Sequence, residues 1–130
     1  AGGDVYCGGH NATEQPWTVG IRHPRESHAL LTRVAITDAA LCTSGDYERL
    51  VTDDTSGEHH VLDPNTGASP RDVISASVIA PTAMVADALG TAAFVLGCID
   101  GVALLERYAL RACLVDAQLV RHTTPDWIDV

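Results

Sequence analysis

Asp87 and Thr91 stand four residues apart in a stretch with almost no other polar side chain. In a helix of about 3.6 residues per turn the two share a face, with Met84, Phe94 and Cys98 on the same stripe and Val85, Leu89, Ala92 and Leu96 opposite. A helix that is apolar all round is expected to be buried, and a carboxylate buried on it needs a cation or several hydrogen-bond donors. One charged and one neutral oxygen on adjacent turns suit a hard cation such as Mg²⁺, its shell completed by backbone carbonyls, water or phosphate. An Arg that neutralises Asp87, with Thr91 bonded to a carbonyl one turn back, fits the same pattern.

A second cluster runs His59-His60-Val-Leu-Asp63-Pro-Asn-Thr66-Gly67. Successive side chains on a strand point to opposite faces, so only one of the two histidines can line a site. Asp63 to Gly67 has the residue order of a tight turn, with Pro next to fix φ and Gly near the end. It is either a solvated connection or the source of an acceptor, Asp63, and a hydroxyl, Thr66, that orient a neighbouring His. The third cluster, Leu41-Cys-Thr43-Ser44-Gly45-Asp46-Tyr47-Glu48, ends one strand and begins the next with small residues that let a ligand approach the backbone. A Ser-His-Asp hydrolase is disfavoured, because the Gly-x-Ser-x-Gly elbow is absent and nothing places a His beside Ser44. Gly2-Gly3-Asp4 and Gly8-Gly9 are too short for a dinucleotide fingerprint, and no Gly-Lys-Ser/Thr follows to make a P-loop.

The elements that must position these residues read as follows. Residues 17–22, 33–37, 47–52 and 59–62 are predicted strands, divided by Pro, Gly and Asp/Ser clusters. The β-branched run at 73–80 extends them and ends where Pro81 and Thr82 open a helix that stops at Gly97. A second helix is predicted over 102–108, then strands at 111–115 and 118–120 split at Asp116, then an irregular tail. The fold class is α+β, an antiparallel sheet with helices on one face.

At 130 residues the chain has room for one modest domain, and 46% hydrophobic residues place it with packed globular proteins. Seventeen acidic residues against eight basic ones, every one an Arg, give a net charge of −9 and argue against a nucleic-acid partner. Four cysteines stand far apart with no Cys-x-x-Cys pair, so buried free thiols are expected rather than a zinc site or a disulfide framework. Residues 82–99 approach a membrane-spanning length, but Asp87 interrupts them and no basic flank follows. The first residues carry neither a basic nor an apolar signal segment, so the compartment is unread from this end.

Taken in order, five pieces resemble the FAD:protein FMN transferase family, also called ApbE. They are Gly2-Gly3-Asp4-Val5, Pro16-Trp17-Thr-Val-Gly-Ile21, Thr43-Ser44-Gly45-Asp46-Tyr47-Glu48, His60-Val-Leu-Asp63-Pro-Asn-Thr66-Gly67 and Asp87-Ala-Leu-Gly90-Thr91. The resemblance implies a T-fold-like sheet backed by helices. It covers the C-terminal part of a typical member, so residues 1–130 are expected to be one domain lacking an N-terminal half that would supply much of the FAD pocket. It implies Asp87 and Thr91 as Mg²⁺ ligands, joined by a backbone carbonyl from the other half, and His60 with Asp63 as acid/base and orienting pair. Thr43, Ser44 and Gly45 would line the flavin diphosphate, with Thr66 and Gly67 also on the cofactor. The implied reaction is attack by a Ser/Thr hydroxyl of a target flavoprotein of electron transport on the FMN-side phosphate of FAD, releasing AMP. Some relatives let water attack instead and act as FAD pyrophosphatases, and a half-module that binds flavin without turnover is the remaining alternative. The family is often periplasmic or membrane-anchored.

Overall fold

In chain order the elements are β1 (Val5–Cys7), β2 (Trp17–Arg22), β3 (Leu30–Ile36), β4 (Ala39–Gly45), β5 (Val73–Ala80), α1 (Ala83–Leu96), α2 (Cys98–Arg107), β6 (Arg111–Asp116) and β7 (Arg121–Thr123). They come from a computed structural model that describes residues 3–47 and 61–130. Five strands form one antiparallel sheet in the order β1-β4-β5-β6-β7, and β2 with β3 forms a separate two-stranded ribbon.

The sheet is covered on both faces. Ala40, Cys42, Ala76, Val78, Ala112 and Leu114 pack against Ala86, Ala93, Phe94 and Leu105 of the helices. Leu41, Ile79, Cys113 and Val115 pack the other way, against Ile21, Val34 and Ile36 of the ribbon. All eight residues of the central β5 are therefore buried, which is why its sequence is a near-continuous apolar run rather than an alternation. The expected α+β class and helix-backed antiparallel sheet hold. What the sequence did not announce is that the strand at 17–22 leaves the main sheet to cover its second face.

Local signals set several boundaries well. Thr82 caps α1 by accepting from the Val85 N–H at 3.3 Å, and Gly97 ends it at a φ of 89°. The chain then turns straight into α2, four residues earlier than expected, because Asp72 reaches across to accept from the Cys98 N–H at 2.9 Å. Residues 118–120 form a turn instead of a strand: Asp116 Oδ1 accepts from both the Gln118 and Val120 N–H groups at 2.9 Å, and pairing resumes only at Arg121. Tyr47 lies in the turn after β4, while the rest of the expected 47–52 strand and residues 59–60 lie outside the described residues. Val61 and Leu62, from the same expected strand, are not in one. The four cysteines are free and buried. No described helix is long and apolar enough to cross a membrane.

One expectation about α1 is overturned. The helix buries only Ala86, Gly90, Ala93 and Phe94, whereas Met84 is 78% exposed and Asp87 is exposed too. Phe94, on the Asp87 stripe, is fully buried because α2 crosses there, with Gly101 pressed against the Ala93 carbonyl. One end of the stripe is thus covered and the other is open.

The irregular tail straps the outer edge of the ribbon. Val130 N–H donates to the Arg33 carbonyl at 3.0 Å, and Asp129 accepts from Thr32 at 2.7 Å, Arg121 at 2.8 Å and the Trp127 ring N–H at 2.9 Å. The Thr32 hydroxyl, ahead of Arg121 and Trp127, holds the Asp129 carboxyl below the usual carboxylate range. His122, 2.9 Å away, does the same for Asp116, with the Val120 N–H second.

Two outcomes follow from the packing and the tail. A Cβ added at Gly101 would lie 2.5 Å from the Ala93 carbonyl oxygen, while one at Gly90 meets only Val78 at 3.4 Å. Urea denaturation should therefore find Gly101→Ala destabilised by about 1–3 kcal/mol and Gly90→Ala unchanged or stabilised by up to ~1 kcal/mol. A carboxyl whose folded pKa is depressed adds stability above its unfolded pKa, near 4, and that stability is lost as pH falls through the folded value. The urea midpoint should drop between pH 5 and pH 2, and Asp129→Asn should make that drop smaller. An identical drop in the variant would contradict the assignment.

Candidate functional site

Alternation along β4 decides which expected site residues meet. Cys42 and Ser44 face the helices, and Thr43 and Leu41 face the ribbon. Ser44 Oγ lies 3.2 Å from Thr91 Oγ1 on α1, whereas Thr43 Oγ1 lies 2.9 Å from Ser77 Oγ on β5. The Thr43-Ser44-Gly45 segment is thus split between two sides of the sheet.

On the helix side, Asp87 and Thr91 occupy adjacent turns of α1 as the spacing implies. Thr91 bonds Ser44 and not a carbonyl one turn back, and among the described residues no Arg pairs with Asp87. Cys42 lies beneath them, its sulfur 3.5 Å from the Ala83 carbonyl. Burial pushes its thiol up to about 12, and the carboxylates of Asp4 and then Asp87 push in the same direction. Asp4 is opposite Cys42 by the register of β1 on β4, and Asp87 follows Ala86, which packs with Cys42. Asp4 precedes edge strand β1 and is also among the residues that line a cavity on the other side of the sheet. A rim of hard oxygens results: the carboxylates of Asp4 and Asp87 and the hydroxyls of Thr91 and Ser44. No cluster of three or more His, Cys, Asp or Glu suited to a metal occurs among the described residues. A cation here would draw much of its shell from elsewhere.

The cavity on the ribbon side has a volume of about 450 Å³. Its lining runs from Gly3, Asp4 and Val5 past Leu41 and Thr43 to Tyr47 and the successive residues Val19 to Arg22 of β2. Gly45 has no room for a side chain, because a Cβ would fall 2.5 Å from the Tyr47 ring that lies on it. Arg22 stands over that ring, 5.0 Å from its centroid. Arg25 holds Asp46 through two bonds of 2.7 Å, which fixes the end of β4 to the loop between β2 and β3.

The Asp63 to Gly67 turn forms as read. Gly67 N–H donates to the Asp63 carbonyl at 2.7 Å, and Gly67 takes a φ of 69°. Asp63 Oδ1 accepts from the Asn65 N–H at 2.8 Å and Thr66 Oγ1 from the Ala68 N–H at 3.3 Å, so both side chains serve the turn itself. No hydrogen bond or ion pair among the described residues joins this turn to Asp87 or Thr91. His59 and His60 lie outside the described residues. Asp4, Cys42, Arg22 and Tyr47 were not singled out as site residues. Asp4 lies in the Gly-Gly-Asp string and Cys42 and Tyr47 in the third cluster, but no local pattern marks their roles, since their meeting depends on strand pairing far apart in sequence.

Known proteins share this arrangement of chain. The ApbE family's sequence profile matches residues 1–114. The FAD:protein FMN transferase of Treponema pallidum is 44% identical over 96 residues, covering 71% of this chain and 26% of that protein. The enzyme of the same name from Salmonella typhimurium is 34% identical over 116 residues, covering 88% of this chain and 33% of that protein. The crystal structure of the ApbE protein of Thermotoga maritima superposes with a TM-score of 0.88 at 34% identity, over 96% of this chain and 41% of that one. The flavin transferase ApbE of Vibrio cholerae gives 0.79 at 26% identity, over 98% of this chain and 41% of that one. The chain thus spans about a quarter to a third of the length of these curated relatives. Matched by the profile over most of its length and by solved folds over nearly all of it, the chain belongs to the ApbE family.

Proposed function

We propose that this chain carries the metal and phosphate side of an Mg²⁺-dependent FAD:protein FMN transferase site. The observation that supports this most is the rim of oxygens at Asp87, Thr91, Ser44 and Asp4, with no described cation to neutralise Asp87, in a chain whose relatives are named for that reaction. The donor set fits the ion. Mg²⁺ is usually held by one or two carboxylates and keeps waters and substrate phosphates for the rest of its shell. Asp87 and Thr91 would hold it, and when bound it would offset the charge that builds on the diphosphate.

The chain's own residues do the remaining work. Ser44 keeps the Thr91 hydroxyl turned toward the sheet rim. Cys42, uncharged at neutral pH with its thiol near 12, adds no thiolate beside the two acids. The small residue Gly3 leaves room at the rim, and Gly45 makes way for the Tyr47 ring that lines the cavity. In the transfer step the oxygen of an acceptor Ser or Thr bonds to the FMN-side phosphorus, the bond from that phosphorus to the bridging oxygen breaks, and AMP leaves with the electron pair. The hydroxyl proton passes to His60, with Thr66 and Gly67 shaping the turn beyond it.

FMN transfer to a flavin-free acceptor flavoprotein, read as in-gel flavin fluorescence at graded Mg²⁺, tests this reading. Asp87→Asn should lower transfer by more than about 100-fold, and His60→Gln by about 10²–10⁴-fold, the scale of one general base. Undiminished transfer by Asp87→Asn would refute the metal role. Release of AMP without FMN on the acceptor would mean that water is the nucleophile.

A further inference from the structure

Antiparallel pairs alternate between residues that exchange hydrogen bonds and residues whose N–H and C=O both point away from the partner strand. On β3 the outward carbonyls are identified by what covers them: Arg33 O accepts from the Val130 N–H at 3.0 Å, and Ala35 O from Arg111 at 3.3 Å. Their partners across the ribbon are Gly20 and Thr18. Gly20 and Thr18 therefore turn their own N–H and C=O outward along the opposite edge, the free edge of β2. Among the described residues nothing pairs with that edge.

The edge forms one wall of the 450 Å³ cavity. Val19, Gly20, Ile21 and Arg22 line it in unbroken succession, as an edge does, whereas a strand face would contribute alternate residues. Gly20 is exposed and has no side chain to shield its backbone. The guards of a lone edge sit only at the end of this strand, in the register irregularity between Ile21 and Arg22 and the charge of Arg22, and residues 17–21 carry no Pro and no charge. The opposite wall is Gly3, Asp4, Val5, Leu41 and Thr43.

We propose that this groove takes the acceptor polypeptide as an extended segment that adds a strand to β2, which rests on the transferase reading above. Outward N–H and C=O groups that recur every second residue, about 6.8 Å apart, match another backbone. A flat ring would engage the groups of one residue only. Asp4 lines the groove and, by the register of β1 on β4, stands opposite Cys42, which packs against the helix that carries Asp87, so the groove adjoins the oxygen rim. Arg22, with no carboxylate partner among the described residues, favours an acidic residue in the segment.

Amide hydrogen exchange on the ¹⁵N-labelled chain tests this, with a flavin-free acceptor flavoprotein as one probe and FAD as the other. The acceptor should slow exchange at Thr18 and Gly20 at least tenfold and leave Val19 and Ile21, already in the ladder, unchanged. FAD alone should not protect them. Gly20→Pro removes one outward N–H and no ladder bond, a change an edge strand tolerates, and should weaken acceptor binding at least tenfold. Protection by FAD instead of the acceptor, or by neither, overturns the proposal. FMN transfer measured on the same samples separates the two claims: transfer without protection refutes the groove alone, and loss of both transfer and Mg²⁺-dependent FAD binding refutes the transferase reading.

Discussion

Burial of the five-stranded sheet on both faces is the constraint on which the rest depends. Once helices cover one side and the β2–β3 ribbon the other, every residue of β4 and β5 must belong to one layer or the other. That parity gives Ser44 to Thr91 and Thr43 to Ser77, although the two are neighbours in sequence. Chemistry that involves both sides can meet only where the sheet stops, at its rim. Asp4 stands there, before the edge strand, opposite Cys42 and among the residues that line the cavity.

The same constraint explains why an acid can be kept on an apolar helix. Asp87 escapes burial because α2 covers only the Ala93 and Phe94 end of its stripe. Its desolvation cost is small, so it needs no structural counter-ion and stays available to a ligand cation. Cys42 beneath it is the group that is pushed, toward the neutral form. On the reading proposed above, hard oxygens over a soft but protonated sulfur would favour Mg²⁺ over thiophilic metals.

Much of the fold was legible because its signals are local. The Thr82 cap, the Gly97 stop and the β-branched run of β5 each act within a few residues of where they stand. β4 was not legible, since Ala-Ala-Leu-Cys-Thr-Ser-Gly has little intrinsic strand preference and is held by pairing with β1 and β5. The candidate site divides in the same way. The spacing of Asp87 and Thr91 placed them on one helical face. Their exposure, the bond to Ser44 and the approach of Asp4 depend on what packs over α1 and across the rim, which no helical wheel contains.

On the proposed reading Asp87 and Thr91 hold the divalent cation when FAD is present. Mn²⁺ in place of Mg²⁺ tests it most directly, through paramagnetic broadening of amide resonances in the FAD-loaded chain. Broadening should centre on residues 87–91 and on Ser44, and should be lost in Asp87→Asn. Broadening centred elsewhere, or unchanged in that variant, would contradict it.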